Sequence, residues 1–318
     1  MALPAPFAGR LRLPAIVAPM FLVSGPRLVV EACKAGLSGT FPALNQRTSE
    51  GYSDWLEEIT AGLAAVERET GRKPAPFGVN LIVHPTNTRL QADLAITCRA
   101  KVPFVITSLG AAREVVDAVH AYGGIVLHDV TNARHAEKAI AAGADGIIAV
   151  AAGAGGHAGT VNPFALVAEL RPIAAGKLLV LAGAISTGGD IAAAIASGAD
   201  LAYLGTRFIA TEESLAHADY KAMLVASGSS DIVYTAKVSG IPANFLKPSL
   251  VRAGVDLGAI SGDSHKLDLG NEAKAWSTVW SAGHGVTAIA DVPNVGALVE
   301  TLNTEFHYAI ERMKHCVA

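Results

Sequence analysis

Cysteine, charge and long apolar runs are all scarce in this sequence, and each shortage excludes a class of protein. The three cysteines, Cys33, Cys98 and Cys316, are far apart and form no C-x-x-C pair, so neither a disulfide framework nor a zinc site is expected. Charged residues make up only 17% of the chain and the net charge is −3. Because Lys and Arg are also scattered, no nucleic-acid partner is predicted.

The chain also lacks the segments that target or anchor a protein. No segment reaches the roughly 18 consecutive apolar residues of a membrane-spanning helix. Residues 1–12 have neither the basic start nor the apolar stretch of a secretory signal,. The sequence therefore predicts a cytoplasmic protein that does not contact a membrane.

What the chain does contain is apolar and rich in glycine: hydrophobic residues make up 51%, and there are 32 glycines. Short continuous apolar runs recur along it, which is typical of parallel strands that are buried on both faces. Eight such runs are predicted as strands: Ala15–Met20, Leu37–Pro42, Phe77–Val83, Phe104–Thr107, Ile125–His128, Gly146–Val150, Leu178–Ala182 and Leu201–Gly205.

Segments of helical periodicity alternate with these runs. They are Pro26–Ala35, Tyr52–Glu69, Thr88–Ala100, Ala111–Ala121, Ala133–Ala142, Pro163–Ala174, Gly189–Ala196 and Glu212–Ala226. Eight strand-then-helix units predict a closed (β/α)8 barrel, the TIM-barrel fold, with a doubly wound sheet as the alternative. Gly36, Gly143 and Gly198 come just before strands, and we expect each to end a helix in the left-handed conformation.

The alternation of strands and helices stops after the eighth run. Residues 1–213 are therefore assigned to the barrel, and residues 214–285 to a smaller, mainly helical domain interrupted by Gly240-Ile-Pro242 and Lys247-Pro248. Residues 286–318 include the helical periodicity of Val295–Met313. We expect this last segment to be a helix that returns to the barrel.

Two glycine-bearing turns, Ala182–Asp190 and Gly205–Phe208, follow the last two predicted strands. Many barrels bind a phosphate with the loops after strands 7 and 8. Glycine lets the backbone approach an anion closely, and exposed N–H groups at a helix start attract it. Either turn alone is explained as a tight turn, but the two together predict a phosphate-bearing ligand.

The sharpest local motif is Gly153-Ala-Gly-Gly-His-Ala-Gly159, directly after the sixth predicted strand. Its glycines remove bulk from around the imidazole of His157. A histidine at the end of a barrel strand is suited to proton transfer or to stabilising an anionic substrate. We therefore predict His157 as the catalytic residue, with a loop histidine bonded to nearby backbone as the alternative.

Other polar groups also fall at predicted strand ends. His128 ends strand 5, Asn80 lies on strand 3, and Ala18-Pro-Met20 ends strand 1. Each has a structural alternative: a core histidine, a turn residue and a core methionine. His157 and His128 have no carboxylates at ligand spacing, so no metal site is predicted.

Together these motifs are similar to the nitronate monooxygenase family, formerly called 2-nitropropane dioxygenases. The resemblance extends over nearly the whole chain. Its motifs are Ala18-Pro-Met20, Phe77-Gly-Val-Asn-Leu81, Ala154-Gly-Gly-His-Ala-Gly159, Leu181-Ala-Gly-Ala-Ile185, Leu204-Gly-Thr-Arg-Phe208 and Trp280-Ser-Ala-Gly283.

The resemblance implies an FMN-dependent barrel in which His157 is the active-site histidine. It implies that the flavin ring lies near Ala18, Pro19 and Met20, and near Asn80 and His128. The remaining residues that it assigns to the cofactor belong to the three glycine-bearing loops, with the phosphate on the last two: Gly155, Gly156, Gly183, Ala184, Gly205 and Thr206.

Three positions depart from the family pattern. Gly153 stands where many relatives have Glu, and Ala184 stands where many have a second Gly. Asp129 stands where some quinone-reducing relatives have Lys, a positive charge that could stabilise anionic flavin or contact phosphate. These departures bear on the substrate more than on the cofactor.

The leading functional hypothesis is FMN-dependent oxidation of an alkyl nitronate or nitroalkane by O2, which yields a carbonyl compound and nitrite. The first alternative is reduction of a quinone or an enoyl thioester by NAD(P)H. The second is a flavin-free lyase or isomerase that uses the same turns for a phosphorylated metabolite. The sequence leaves open the physiological substrate, the need for NAD(P)H and whether the chain forms a homo-oligomer.

Overall fold

A computed structural model describes residues 3–110, 113–238, 240–255 and 279–316. Eight parallel strands close into a barrel in which the last strand pairs with the first. The strands of the barrel are β1 Ala15–Val17, β2 Ser38–Pro42, β3 Gly78–Ile82, β4 Phe104–Ser108, β5 Ile125–Val130, β6 Gly146–Val150, β8 Leu178–Ala182 and β9 Leu201–Leu204. The predicted (β/α)8 barrel is confirmed.

Helices follow the strands around the outside of the barrel. Among the described residues they are α1 Pro26–Ala35, α2 Ser49–Thr70, α3 Leu90–Arg99, α4 Arg113–His120, α5 Ala133–Ala141, α6 Pro163–Ile173, α7 Gly188–Ala196, α8 Thr206–Ile209, α9 Ala218–Val225, α10 Lys247–Arg252 and α11 Val295–His315. The expected left-handed glycines are also confirmed, since φ is +93° at Gly36, +100° at Gly143 and +112° at Gly198.

The barrel strands form because both of their faces are buried. One set of side chains fills the interior, including Phe104, Leu127 and Ile148, and Phe7 packs on the Phe104 ring with the centroids 5.0 Å apart. The other set packs between the strands and the helices. A barrel filled in this way places its functional groups at the carboxyl ends of the strands.

The segment after the barrel is not built from helices alone. Besides α9 and α10 it contains β10 Ile232–Thr235 and β11 Ala243–Leu246, which pair antiparallel as a hairpin. β11 also pairs with β7 Gly156–His157, so the three strands form a small second sheet. The prediction of a mainly helical 214–285 missed this hairpin, and its residues 256–278 lie outside the described part of the chain.

Helix α11 packs on the barrel between its last and first helical units. Its residues Val295, Leu298 and Leu302 join the same buried cluster as residues of α1 and α7. Gly188 lies at the contact, where an added Cβ would overlap the Leu302 carbonyl oxygen. Within the described residues, no helix combines the length and the apolar character that crossing a membrane requires.

Candidate active site

The carboxyl ends of the barrel strands surround a cavity of about 1850 Å³. Every residue that the sequence assigned to the catalytic or cofactor site lines this cavity. They are Ala18, Pro19, Met20, Asn80, His128, Gly155, Gly156, His157, Gly183, Ala184, Gly205 and Thr206. The structure therefore brings them to one place, and their individual roles stay predictions.

The backbone of His157 is held by the hairpin rather than by the barrel. In the antiparallel pairing of β7 with β11, His157 lies opposite Ala243 and Gly156 lies opposite Asn244. The Asn244 side chain is buried, and its Nδ2 donates to the carbonyl oxygen of Ala154 at 2.7 Å. The loop that carries His157 thus becomes a strand of the second sheet.

Further side chains secure the same loop from both ends. The Ser281 hydroxyl accepts a hydrogen bond from the Gly156 amide at 2.6 Å and donates to the Asn244 carbonyl at 2.6 Å. The Tyr220 hydroxyl donates to the Ser281 carbonyl, and Tyr234 Oη donates to the Ala158 carbonyl at 3.0 Å. The position of His157 therefore depends on residues more than 60 positions later in the chain.

His128, in contrast, is fixed by the barrel itself. It is the register partner of Thr107 on the neighbouring strand β4, and its Nδ1 is 2.6 Å from the Thr107 hydroxyl. Burial, aided by the charge of His135, lowers the pKa of His128 to about 4. His128 is therefore a neutral imidazole at pH 7, able to form hydrogen bonds with a ligand but carrying no charge.

A chain of hydrogen bonds connects strands β3, β4 and β5 near their carboxyl ends, at the opening of the cavity, which we call the mouth. Asn80 Nδ2 donates to Ser108 Oγ at 2.6 Å, and Ser108 Oγ donates to Asp129 Oδ2 at 2.6 Å. Burial raises the pKa of Asp129 to about 6, although the Ser108 hydrogen bond and His157 act in the opposite direction. A carboxyl group that titrates near neutrality in a cavity is a functional candidate.

Two groups of the cavity were missed by the sequence reasoning. Ser108 comes directly after the predicted end of strand 4, and this position is the sequence signal that could have identified it as a site residue. Tyr203 lies on β9, and its hydroxyl is buried without a hydrogen-bond partner among the described residues. The charge of Asp129 contributes to raising the pKa of Tyr203, although burial is the larger cause.

The turn after β8 differs from expectation in one respect. The amides of Ser186 and Thr187 donate to Asp190 Oδ2 at 2.9 Å, and the Gly188 amide donates to Glu305 Oε2 at 2.7 Å. These three N–H groups, two just before α7 and one at its first residue, are thus occupied by the chain's own carboxylates. The prediction that exposed amides at this helix start attract an anion is wrong for these three groups.

Other groups of the two turns do fit a phosphate. Ser186 is 3% exposed, and its hydroxyl has no partner among the described residues although it lines the cavity. At Gly205 an added Cβ would make only ordinary contacts, at 3.6 Å to Ala18 and 3.9 Å to Met20, so no closely packed atoms cover the backbone of that turn. A buried hydroxyl without a partner calls for an acceptor, and a phosphate oxygen supplies one.

Two of the departures from the family pattern lie against each other. Gly153 has φ +84°, and a Cβ added there would be 3.3 Å from the Ala184 methyl group and 3.2 Å from His284 Nδ1. Ala184 itself has φ +55°, a left-handed conformation that is unusual for a residue other than glycine,. A side chain at 153 would thus be in tight contact with the Ala184 methyl group.

Comparison with known proteins assigns the family. Residues 85–305 match the family model described as nitronate monooxygenase. The chain belongs to the nitronate monooxygenase family. Members of this family are FMN-dependent oxidoreductases, so the chain is an enzyme of that kind with FMN as its cofactor. Nowhere in the described residues do three or more His, Cys, Asp or Glu side chains group to hold a metal ion.

Three proteins that are similar to this chain are named for different reactions. A nitroalkane oxidase from Streptomyces ansochromogenes has a TM-score of 0.80 and 29% identity, covering 97% of this chain and all of that one. FabK from Thermotoga maritima has a TM-score of 0.76 and 25% identity, covering 96% of each chain. A Rhodococcus jostii (3aS,4S,5R,7aS)-5-hydroxy-7a-methyl-1-oxo-octahydro-1H-indene-4-carboxyl-CoA dehydrogenase is 29% identical, covering 87% of this chain and 76% of that protein.

Proposed function

We propose that this enzyme oxidises alkyl nitronates, or the nitroalkanes from which they form, to a carbonyl compound and nitrite with O2. The observation that carries the proposal is the placement of His157, which the second sheet holds in the same cavity as the two turns that fit a phosphate. The likeness to the nitroalkane oxidase supports the same reaction. A cytoplasmic location stays a prediction from the sequence.

The residues of the mouth have separate tasks in this proposal. Gly183, Ala184, Gly205 and Thr206, together with the free hydroxyl of Ser186, would hold the FMN phosphate. The neutral imidazole of His128 and the amide of Asn80 would orient the ring. When bound, FMN supplies the acceptor for electrons that leave the substrate.

His157 would act on the nitro group or on the carbon beside it. For a nitronate, its imidazole need only stabilise the negative charge on the nitro oxygens. For a neutral nitroalkane, it would accept the proton from the α-carbon. The glycines on either side leave room for a small substrate to approach the ring.

A second candidate is reduction of a quinone or an enoyl thioester by NAD(P)H. The size of the cavity supports this candidate, which has a large substrate. Its volume of about 1850 Å³ exceeds the roughly 300–1,000 Å³ of an ordinary ligand pocket,. The Rhodococcus relative is named for a CoA thioester, which is a large substrate. The two candidates differ in how the flavin is reduced.

An anaerobic absorption spectrum of the purified protein separates the candidates. A monooxygenase should keep its oxidised flavin spectrum when NADH or NADPH is added and lose it when a nitronate is added. Nitrite should then form once O2 is admitted. Rapid bleaching by NAD(P)H with no response to nitronate would overturn the proposal in favour of the reductase.

Replacement of His157 by Asn tests its catalytic role. We expect kcat/KM for a neutral nitroalkane to fall by about 100-fold or more, because the base is lost. The flavin content should stay at the wild-type level, since the phosphate turns are unchanged. Full turnover of both nitroalkane and nitronate by His157→Asn would contradict the assigned role.

A further inference from the structure

Asp129 lies at the end of β5 with its two carboxylate oxygens in different environments. Oδ2 accepts the hydrogen bond from Ser108. Oδ1 is buried and has no hydrogen-bond partner among the described residues. Because Asp129 lines the same cavity as His157, its free oxygen is available to a group in the mouth.

The titratable groups around Asp129 come from several elements. His157 on β7 interacts with it electrostatically, and so does Tyr203 on β9. Ser108 on β4 supplies the hydrogen bond, and His128 on its own strand is kept neutral by burial. Of the two imidazoles, His157 is therefore the one that would accept the substrate proton.

We propose that Asp129 is the positioning partner of His157 and determines which form of the substrate the enzyme accepts, favouring the neutral carbon acid over its anion. This inference rests on the proposed function. An ionised carboxylate stabilises the imidazolium that forms when His157 takes up a proton. The same negative charge repels a substrate that arrives already ionised.

The proton transfer is balanced within these groups. The α-carbon–hydrogen bond of the nitroalkane breaks, and its proton moves to an imidazole nitrogen of His157. The electron pair of that bond moves into the nitro group, which yields the nitronate. Asp129 gains and loses no proton in this step, and its charge offsets the new charge on His157.

The ionisation of Asp129 gives the selection a pH dependence. Its pKa is raised to about 6, so the carboxyl is neutral well below that pH and charged above it. Turnover of the neutral nitroalkane should therefore rise as the pH increases through about 6. Preference for the anionic nitronate should decline over the same interval.

Asp129→Asn tests this selection because it removes the charge and keeps the shape. At pH 8 we expect kcat/KM for the nitroalkane to fall by about 10- to 100-fold, and kcat/KM for the nitronate to stay level or rise. A merely structural role would lower both values alike, and that result would overturn the proposal. Asp219→Asn, at an exposed site on α9, is the matched control for the loss of one carboxylate.

Ser108→Ala keeps the Asp129 carboxylate and removes only the hydroxyl that donates a hydrogen bond to it. Loss of the Ser108 hydrogen bond removes an interaction that lowers the pKa of Asp129. We expect the midpoint of the nitroalkane pH profile to move up by about one pH unit. An unmoved midpoint would show that a different group titrates.

A spectroscopic titration decides the pairing without any turnover. The ¹³C-carboxyl signal of Asp129, assigned by its absence from Asp129→Asn, should titrate at a higher pH in His157→Gln than in the wild-type holoenzyme. An identical midpoint in the two proteins would overturn the pair. If the wild type turns over neither nitro compound, the proposed function fails, while this titration still answers whether Asp129 and His157 interact.

Discussion

The two histidines of the mouth are held in opposite ways. His128 is 6% exposed on a barrel strand, and a hydroxyl of the adjacent strand binds it. His157 lies on a loop that becomes a strand only because β11 pairs with it. The barrel thus fixes the histidine that is expected to touch the cofactor, and the appended sheet fixes the one that is expected to touch the substrate.

This difference suggests that the two functions can change separately. A substitution in the hairpin should move His157 while the barrel strands and the phosphate turns stay in place. A substitution in β4 or β5 should alter His128 and Asp129 without affecting the backbone of the loop that carries His157. Three measurements test that separation.

The largest expected effect concerns acid stability and His128. Unfolded histidine takes up a proton below pH 6.5, but folded His128 does so only near pH 4, so wild-type stability is lost as the pH falls between these values. The free energy of unfolding, measured with urea, falls between pH 7.5 and pH 4. In His128→Gln this fall should be smaller than in the wild type by about 3 kcal/mol. His315→Gln, at an exposed site, is the control for the loss of an imidazole. If His128→Gln loses as much unfolding free energy between the two pH values as the wild type, the lowered pKa of His128 is contradicted.

The next effect concerns the support of His157. Ser281→Ala leaves the Gly156 amide and the Asn244 carbonyl without their shared hydroxyl, which should lower the free energy of unfolding by about 2 kcal/mol. We also expect kcat to fall by about tenfold, since small misplacements of a catalytic group are costly.

Ser249→Ala is the matched control for that variant. Ser249 is also buried, and its hydroxyl is bonded to the backbone at Leu246 and Trp280 rather than to the loop that carries His157. It should lose a similar amount of stability and retain wild-type kcat. Equal losses of kcat in the two variants would show that the hairpin supports the fold rather than the histidine.

The smallest effect is expected at Tyr234, which is 40% exposed. Tyr234→Phe removes the hydrogen bond to the Ala158 carbonyl, and water can replace part of it. Stability should fall by less than about 1 kcal/mol, and kcat/KM by about threefold or less. Tyr308→Phe on α11, 71% exposed, is the reference, and a tenfold loss at Tyr234 would mean that its hydroxyl contacts the substrate.

The barrel was predictable because its signals are local. A strand that is buried on both faces shows as an apolar run, as at Leu178–Ala182, and the left-handed turn before the next strand requires a glycine such as Gly198. The Gly-Gly-His motif was visible for the same reason. Each of these signals lies within a few residues of the feature that it predicts.

The hairpin and the Asp129 environment were not predictable in this way. Ile232-Val-Tyr-Thr235 has the β-branched and aromatic residues that favour strands, but the run is only four residues long. Its partner β11 pairs with a loop that lies more than 80 positions earlier. Likewise, the contact of Ser108 with Asp129 depends on the register between β4 and β5, and the position of Tyr203 depends on closure of the barrel.

The packing of Gly153 against Ala184 couples the substitutions that the two positions can accept. A larger residue at 153 would adopt a left-handed φ of +84° and would lie 3.3 Å from the Ala184 methyl group and 3.2 Å from His284 Nδ1. Glutamate there is therefore accommodated more easily when position 184 is glycine. Mutations at residues in contact are not independent, and one that is neutral in one background is harmful in another. A substitution of Gly153 by the glutamate of many relatives is therefore coupled to residue 184, on the neighbouring loop after β8.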